Sequence, residues 1–176
     1  MKRKVIKSER FVLRPPKMED APYLAKHLND SEVTDNLASV PFPYGLKDAN
    51  HWLKGAVAVW RKKRPGKLNF IIEIDGEPAG SIGLDYIEEN HKAEIGYWLA
   101  KNHWGRGIMS EVLKEITKFG FGELDLKRIT AKVFAGNPAS KKVLEKNGFT
   151  EEGFLRKEAK KEGKYHDAYL MAKIKH

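Results

Sequence analysis

The segment Glu94-Ile-Gly-Tyr-Trp-Leu-Ala-Lys-Asn-His-Trp-Gly-Arg-Gly-Ile-Met-Ser110 constrains this chain more than any other. Lys92–Ala100 reads as a strand, and Gly105 and Gly107 mark a turn. Ile108, Val112, Leu113, Ile116 and Phe119 then recur on one face of a helix. Glycine permits positive φ and lets a ligand approach the backbone closely. The first N–H groups of a helix point outward at the positive end of its dipole. A strand–glycine turn–helix therefore suits an anion, and a pyrophosphate in particular. A Walker loop needs Lys and Ser/Thr after its last glycine, but Ile108 follows Gly107. A dinucleotide fingerprint needs a third glycine where Ser110 stands, and an early βαβ unit. Taken alone, the two glycines read as a tight packing turn before they read as a ligand site.

The rest of the chain alternates short strands with helices, without repeats or a long linker. Phe11–Arg14 ends a first strand, stopped by Pro15-Pro16. Glu19 and Asp20 open a helix carrying Tyr23, Leu24 and Leu28. Val40–Gly45 is a loop, and Leu46–Lys63 a second helix with Trp52, Leu53, Val57 and Trp60 on one side. Leu68–Ile74 and Pro78–Glu88 flank Asp75-Gly76, a hairpin signal. After the glycine turn come a strand at Arg128–Phe134 and a helix opened by Asn137-Pro138 and closed by Gly148. Phe149–Leu155 and Tyr165–Ile174 read as two strands joined by a polar, Lys-rich connection. The order β-α-α-β-β-β-α-β-α-β-β implies one α/β (α+β) domain over 1–176.

Several function classes fall away. With no cysteine, the chain has no disulfide, no thiolate zinc site and no acyl-cysteine intermediate. Its six histidines lack metal-ligand spacing. No apolar run approaches the roughly 20 residues of a membrane span. Met1-Lys2-Arg3-Lys4 is basic but has no apolar stretch after it, so a cytoplasmic location is expected. The formal charge of +9 suits a nucleic acid, a ribosomal surface or an anionic cofactor. It equally suits a solvated surface rich in Lys and Glu.

The E-I-G-Y-W-L-A…W-G-x-G run resembles the acetyl-CoA signature of the GNAT acetyltransferase superfamily, in the Rim-type branch that acetylates ribosomal-protein N-termini. The R-I-T-A-K-V strand, Asn137-Pro-Ala-Ser140 and the helix ending L-E-K-N-G-F are similar to that branch too, as is the opening F-V-L-R-P. The resemblance spans almost the whole chain. It implies the GNAT fold, a central mixed, mostly antiparallel twisted sheet of about seven strands flanked by about four helices. The chain departs from the family at Asn102, where Arg or Gln is common. Most phosphate contacts in this motif come from backbone N–H groups, so an altered affinity is expected and not a lost site.

The resemblance implies roles for individual residues. The backbone of Trp98, Leu99 and Ala100 pairs with the pantetheine arm as an added strand. The N–H near Trp98 polarises the thioester carbonyl. Asn102, His103, Trp104, Gly105, Arg106, Gly107, Ile108 and Met109 bind the pyrophosphate. Asn137 contacts the pantetheine or its bound water. Lys141 could reach a phosphate, although a solvated lysine is the simpler reading. An acceptor amine must lose a proton before it attacks. Glu94 is the first candidate base and Glu158 the second. The alternatives are a sheet-surface carboxylate for Glu94 and, for Glu158, a solvent-facing place in a charged hairpin. Many family members protonate the departing sulfur with a Tyr seven residues after the helix-opening Asn, where this chain has Leu144. The Rim branch offers Ser140 instead, on the same helix face as Asn137. Tyr44, Trp52, Tyr165 and His166 are candidate acceptor-site residues, with Trp52 reading first as core.

Direct transfer from acetyl-CoA to an amine, without a metal, is the expected chemistry. A protein or peptide α-amine of the ribosomal-protein N-terminus type is the preferred acceptor, and a small-molecule amine is the alternative. A non-catalytic ribosome- or RNA-binding or CoA-sensing module is the competing class. It would release no thiol. No RNA-stacking motif supports it, so neither direct nucleic-acid contact nor a membrane is expected. A monomer or a homodimer would suit such a chain.

Overall fold

The strands Lys92–Leu99 (β5) and Arg128–Phe134 (β6) start side by side and then part, and the rest of the fold is arranged around that gap. A computed structural model of the chain describes residues 4–175, so Met1–Arg3 of the basic N-terminal run lie outside it. In chain order the other strands are β1 (Ile6–Lys7), β2 (Val12–Arg14), β3 (Leu68–Ile74), β4 (Glu77–Glu88), β7 (Thr150–Lys161) and β8 (Lys164–Ile174). The helices are α1 (Ala21–Leu28), α2 (Ser31–Thr34), α3 (Leu46–Val59), α4 (Ile108–Glu123) and α5 (Pro138–Lys146). Among the described residues there are eight strands and five α-helices, where about seven and about four were expected. The additions are short, namely the two-residue β1 and the four-residue α2.

The sheet order is β1-β2-β3-β4-β5-β6-β8-β7. Neighbours are antiparallel except β5 and β6, which are parallel. β5 pairs with β4 from Glu94 to Leu99 but meets β6 only at Lys92↔Arg128, Ala93↔Ile129 and Glu94↔Thr130. Beyond Glu94 the two strands splay.

Side chains alternate across the sheet. Phe70, Ile72, Ile82, Leu84, Ile95 and Leu99 pack with α4 and α5 in one buried cluster. Ile71 and Trp98 face the other way, into a cluster with α1 and α3. The cleft between β5 and β6 therefore opens onto two faces, one floored by α4 and α5 and the other by α1–α3.

Local chemistry fixes the ends of elements. Asp75 (φ 51°) and Gly76 (φ 82°) make the β3–β4 turn. Asn137 caps α5, its side chain accepting from the Ser140 N–H at 3.1 Å, and Gly148 (φ 78°) follows the helix end. Asp48 caps α3 by accepting from the Gly45 N–H at 2.9 Å, and that helix ends at Val59, before the expected Lys63. Asp20 accepts twice from the Arg14 guanidinium, at 2.7 and 3.0 Å, where both side chains are buried.

The tail differs most from expectation. The Lys-rich connection is not a loop. β7 runs on to Lys161 and β8 starts at Lys164, so one long hairpin turns at Glu162-Gly163. β8 last pairs with β6 at Phe134↔Ala168, so the hairpin end projects beyond β6.

Candidate active site

At the end of β5 the chain passes through a 3₁₀ turn, Lys101–His103, and then through Gly105 (φ +71°) and Gly107 (φ +75°) into α4. Positive φ explains both glycines. A Cβ at either would meet nothing within 4 Å, so the turn faces open space. The first closed hydrogen bond of α4 runs from Ser110 N–H to Gly107 C=O, at 3.1 Å. The N–H groups just before it have no intrahelical acceptor and remain available to an anion. Arg10 steadies the turn by donating to the Arg106 carbonyl (2.8 Å) and to Glu111 on α4. The Trp104 indole N–H donates to the Leu99 carbonyl at 2.7 Å, closing the turn onto β5. His103 titrates below the usual histidine range through burial and the Arg106 charge. Asn102 is exposed at the lip.

The register of β4 and β5 decides which backbone groups line the cleft. Ala100 N–H donates to Ala79 C=O at 2.8 Å, making those two a hydrogen-bonded pair. Such pairs alternate along an antiparallel ladder. Ser81↔Trp98 and Gly83↔Gly96 are therefore hydrogen-bonded pairs too, while Leu99 and Tyr97 direct their backbone into the cleft. This corrects two expectations. Trp98 and Ala100 spend their N–H groups on β4, and the Leu99 carbonyl is held by Trp104. The cleft edge is Tyr97 together with the Leu99 N–H. Gly80 has a separate reason to be glycine, since a Cβ there would sit 2.4 Å from the Trp98 carbonyl oxygen.

On the α4–α5 face, the Tyr97 hydroxyl reaches across to Ser140 Oγ at 2.7 Å. Burial pushes the Tyr97 phenol up to about 12. Ser140 is thus tied to the opposite wall of the cleft through its hydroxyl, while its N–H goes to Asn137. The motif alone assigns Tyr97 no role. Alternation along β5 could have found it, because Tyr97 shares a face with Ile95 and Leu99. Leu144, at the position of the usual tyrosine, is buried in the core.

On the α1–α3 face, Glu94 and Lys132 project from β5 and β6 where the strands part. Lys132 Nζ lies 2.7 Å from Glu158 and 3.8 Å from Glu94. The two candidate bases thus meet around one lysine, with Glu158 reaching it from an exposed position on the hairpin. The hydrogen bond that Lys132 donates to Glu158, with help from the Glu94 charge, holds Lys132 above its usual pKa. His166 stacks on Phe134 beside this group, with ring centroids 4.9 Å apart.

Other predicted residues lie elsewhere. Tyr44 and Trp52 pack in the α1–α3 cluster, and burial raises the Tyr44 phenol to about 12. Tyr165 is exposed on the hairpin. Lys141 is not a free solvated cation. It pairs with Glu151 at 2.7 Å and lies 3.8 Å from the Tyr169 ring centroid.

The open end of the cleft is bridged. Lys101, just after β5, pairs with Glu32 on α2. Lys161, at the end of β7, is buried and donates to the carbonyls of Thr34 and Leu37 (the latter at 3.1 Å). The short α2 segment thus clasps both lips. Among the described residues no group of three or more His, Asp or Glu could hold a metal, and no helix is long and apolar enough to cross a membrane.

Comparison with known proteins agrees with this geometry. Residues 10–150 match the family model described as "Acetyltransferase (GNAT) domain". The chain is 34% identical over 169 residues to "Uncharacterized N-acetyltransferase p20" of Bacillus licheniformis, covering 96% of this chain and 94% of that protein. It is 29% identical over 171 residues to "L-amino acid N-acetyltransferase AaaT" of Escherichia coli strain K12, covering 94% and 98%. Its structure superposes on RimL, named as a ribosomal L7/L12 alpha-N-protein acetyltransferase in complex with coenzyme A. The TM-score is 0.88 and the identity 27%, over 97% of this chain and 98% of that one. The chain belongs to the GNAT acetyltransferase family, and it is an N-acetyltransferase of that type.

Proposed function

We propose that this GNAT-family chain, folded as one domain and working in the cytoplasm, transfers acetyl from acetyl-CoA directly to a primary amine, with the α-amine of a protein or peptide as its acceptor. The observation that carries this reading is the two-faced cleft. An anion turn and a hydroxyl pair lie on one face, and a carboxylate–lysine group lies on the other. Two substrates entering from opposite faces meet where β5 and β6 part.

The residues fit acetyl-CoA. Open space above Gly105 and Gly107 admits a pyrophosphate against the N–H groups of 105–109. Tyr97 and the Leu99 N–H offer a strand edge to the pantetheine, and one of these N–H groups, flanking Trp98, takes the oxyanion role expected near that residue. Asn137 lines the same wall. Acetyl-CoA supplies the activated acyl group.

The chain's own residues handle protons. Glu94, less tightly held by Lys132 than Glu158 is, accepts the proton of the acceptor ammonium directly or through water. The amine nitrogen then bonds to the acyl carbon as the carbon–sulfur bond breaks. Ser140, backed by Tyr97, donates a hydrogen bond or proton to the departing sulfur.

The RimL likeness over nearly the whole chain favours a protein N-terminus, such as that of a ribosomal protein, as acceptor. The comparable likeness to an L-amino acid acetyltransferase favours a small amine as the second reading. Free CoA release from acetyl-CoA, screened against short peptides, free amino acids and polyamines, separates the two. Peptides should be the better acceptors. Turnover of free amino acids or polyamines without peptides would select the second reading.

A further inference from the structure

Resting on the protein-acceptor reading, this inference adds what the acceptor carries behind its amine. The projecting end of the β7–β8 hairpin bears Arg156, Lys157, Lys160 and Lys164, all exposed. None lies within 4.0 Å of a carboxylate among the described residues. Three acidic residues of the same hairpin are turned to other duties. Glu151 holds Lys141, Glu152 holds Arg128 and Glu158 holds Lys132. Glu162, at the turn, and Asp167, beside the Lys157 backbone, are left to offset these four cations.

The patch also has an apolar centre. Tyr165 is 58% exposed, with Lys157 and Lys160 Nζ at 5.6 and 5.5 Å from its ring centroid. The tip is held in place. Lys161 is anchored beneath it on α2, and the Lys157 N–H donates to Asp167 at 2.7 Å. A fixed aromatic ring rimmed by cations, a few residues from Glu158, borders the mouth where the amine must arrive.

We infer that this hairpin tip docks an acidic stretch of the acceptor polypeptide that directly follows its amino terminus. The charges of the two regions are complementary to such a chain. Two carboxylates around a single lysine leave the mouth attractive to an ammonium, and the cationic tip beside it attracts Asp and Glu side chains. A phosphate backbone fits less well, because Glu94 and Glu158 would repel it and the tip offers a single exposed ring, not a series of stacking platforms.

The test uses the whole chain, acetyl-CoA and three peptides that share one N-terminal residue but continue with acidic, neutral or basic residues. At low ionic strength kcat/KM should favour the acidic peptide over the neutral one by about tenfold, with the basic peptide lowest. The gap should shrink at about 0.5 M salt. A Lys157→Glu/Lys160→Glu/Lys164→Glu variant should reverse the ranking, with its melting curve as the control for folding. The salt series on the unaltered chain stands alone if that variant does not fold. Equal kcat/KM for the three peptides overturns the inference while sparing the protein-acceptor reading, as does salt-sensitive binding of an RNA oligonucleotide by a chain indifferent to peptide charge. Acetylation of small amines with no peptide turnover overturns both.

Discussion

The Tyr97 hydroxyl and the Ser140 hydroxyl lie 2.7 Å apart, joining β5 to α5 across the α4–α5 face of the cleft. The pair makes the serine part of a short hydrogen-bonded chain, and a phenol raised to about 12 keeps its proton at working pH. Tyr97→Phe and Ser140→Ala should each lower kcat by about tenfold, because a thiolate leaves readily and general acid catalysis adds little to such a step. The double variant should lose little more than either single one, as expected for coupled residues. Tyr97→Phe should also leave the shape of the pH–rate profile unchanged below about pH 10, since the phenol does not titrate there.

Glu94 and Glu158 divide one lysine between them, so their carboxamide variants should differ in kind. Glu94→Gln should lower kcat by about a hundredfold, the low end for a lost general base. The loss should ease at high pH, where more of the acceptor amine is already neutral. Glu158→Gln should cost less and should act through Lys132, which loses its 2.7 Å partner. Steady-state rates from pH 6 to 10 read both effects.

Gly107 adopts φ +75° at the head of α4. Gly107→Ala should destabilise the fold by about 1–2 kcal/mol, the cost of left-handed backbone for a residue with a Cβ. It should also raise KM for acetyl-CoA more than it lowers kcat, because in the proposed reading the turn grips the diphosphate and does not touch the acyl group. Thermal melts and a cofactor titration separate the two.

Lys161 ties the hairpin to α2. Lys161→Met leaves the Thr34 and Leu37 carbonyls without that donor, a loss of about 1–3 kcal/mol. Amide exchange should speed up in β7 near Glu158 and in residues 31–37, with kcat falling as Glu158 loses its fixed place.

Much of this was legible in the sequence. Arg128–Phe134 is the strand its apolar alternation implied, and Asn137-Pro138 and Gly148 bracket α5 as capping chemistry requires. The glycine turn was found because positive φ leaves a mark in composition. What escaped was carried by long-range pairing. Lys161 and Thr34 are 127 positions apart, and nothing local to either signals their contact. β7 is an edge strand whose inner face carries Gly153, Ala159 and Lys161 as well as Leu155, so it offers little hydrophobic period to read, and its full length stayed hidden. The direction of the Trp98 N–H depends on the register with β4, which the composition of β5 does not encode.

In the proposed mechanism the backbone around Gly105 and Gly107 grips the diphosphate of acetyl-CoA while Tyr97 and Leu99 line the cleft. Amide hydrogen exchange with and without CoA tests it residue by residue. Bound CoA should slow exchange at residues 105–109 and at Tyr97 and Leu99, with little change along β1–β3. Exchange unaltered at the glycine turn in saturating CoA, or slowed only at a site away from β5 and α4, would contradict it.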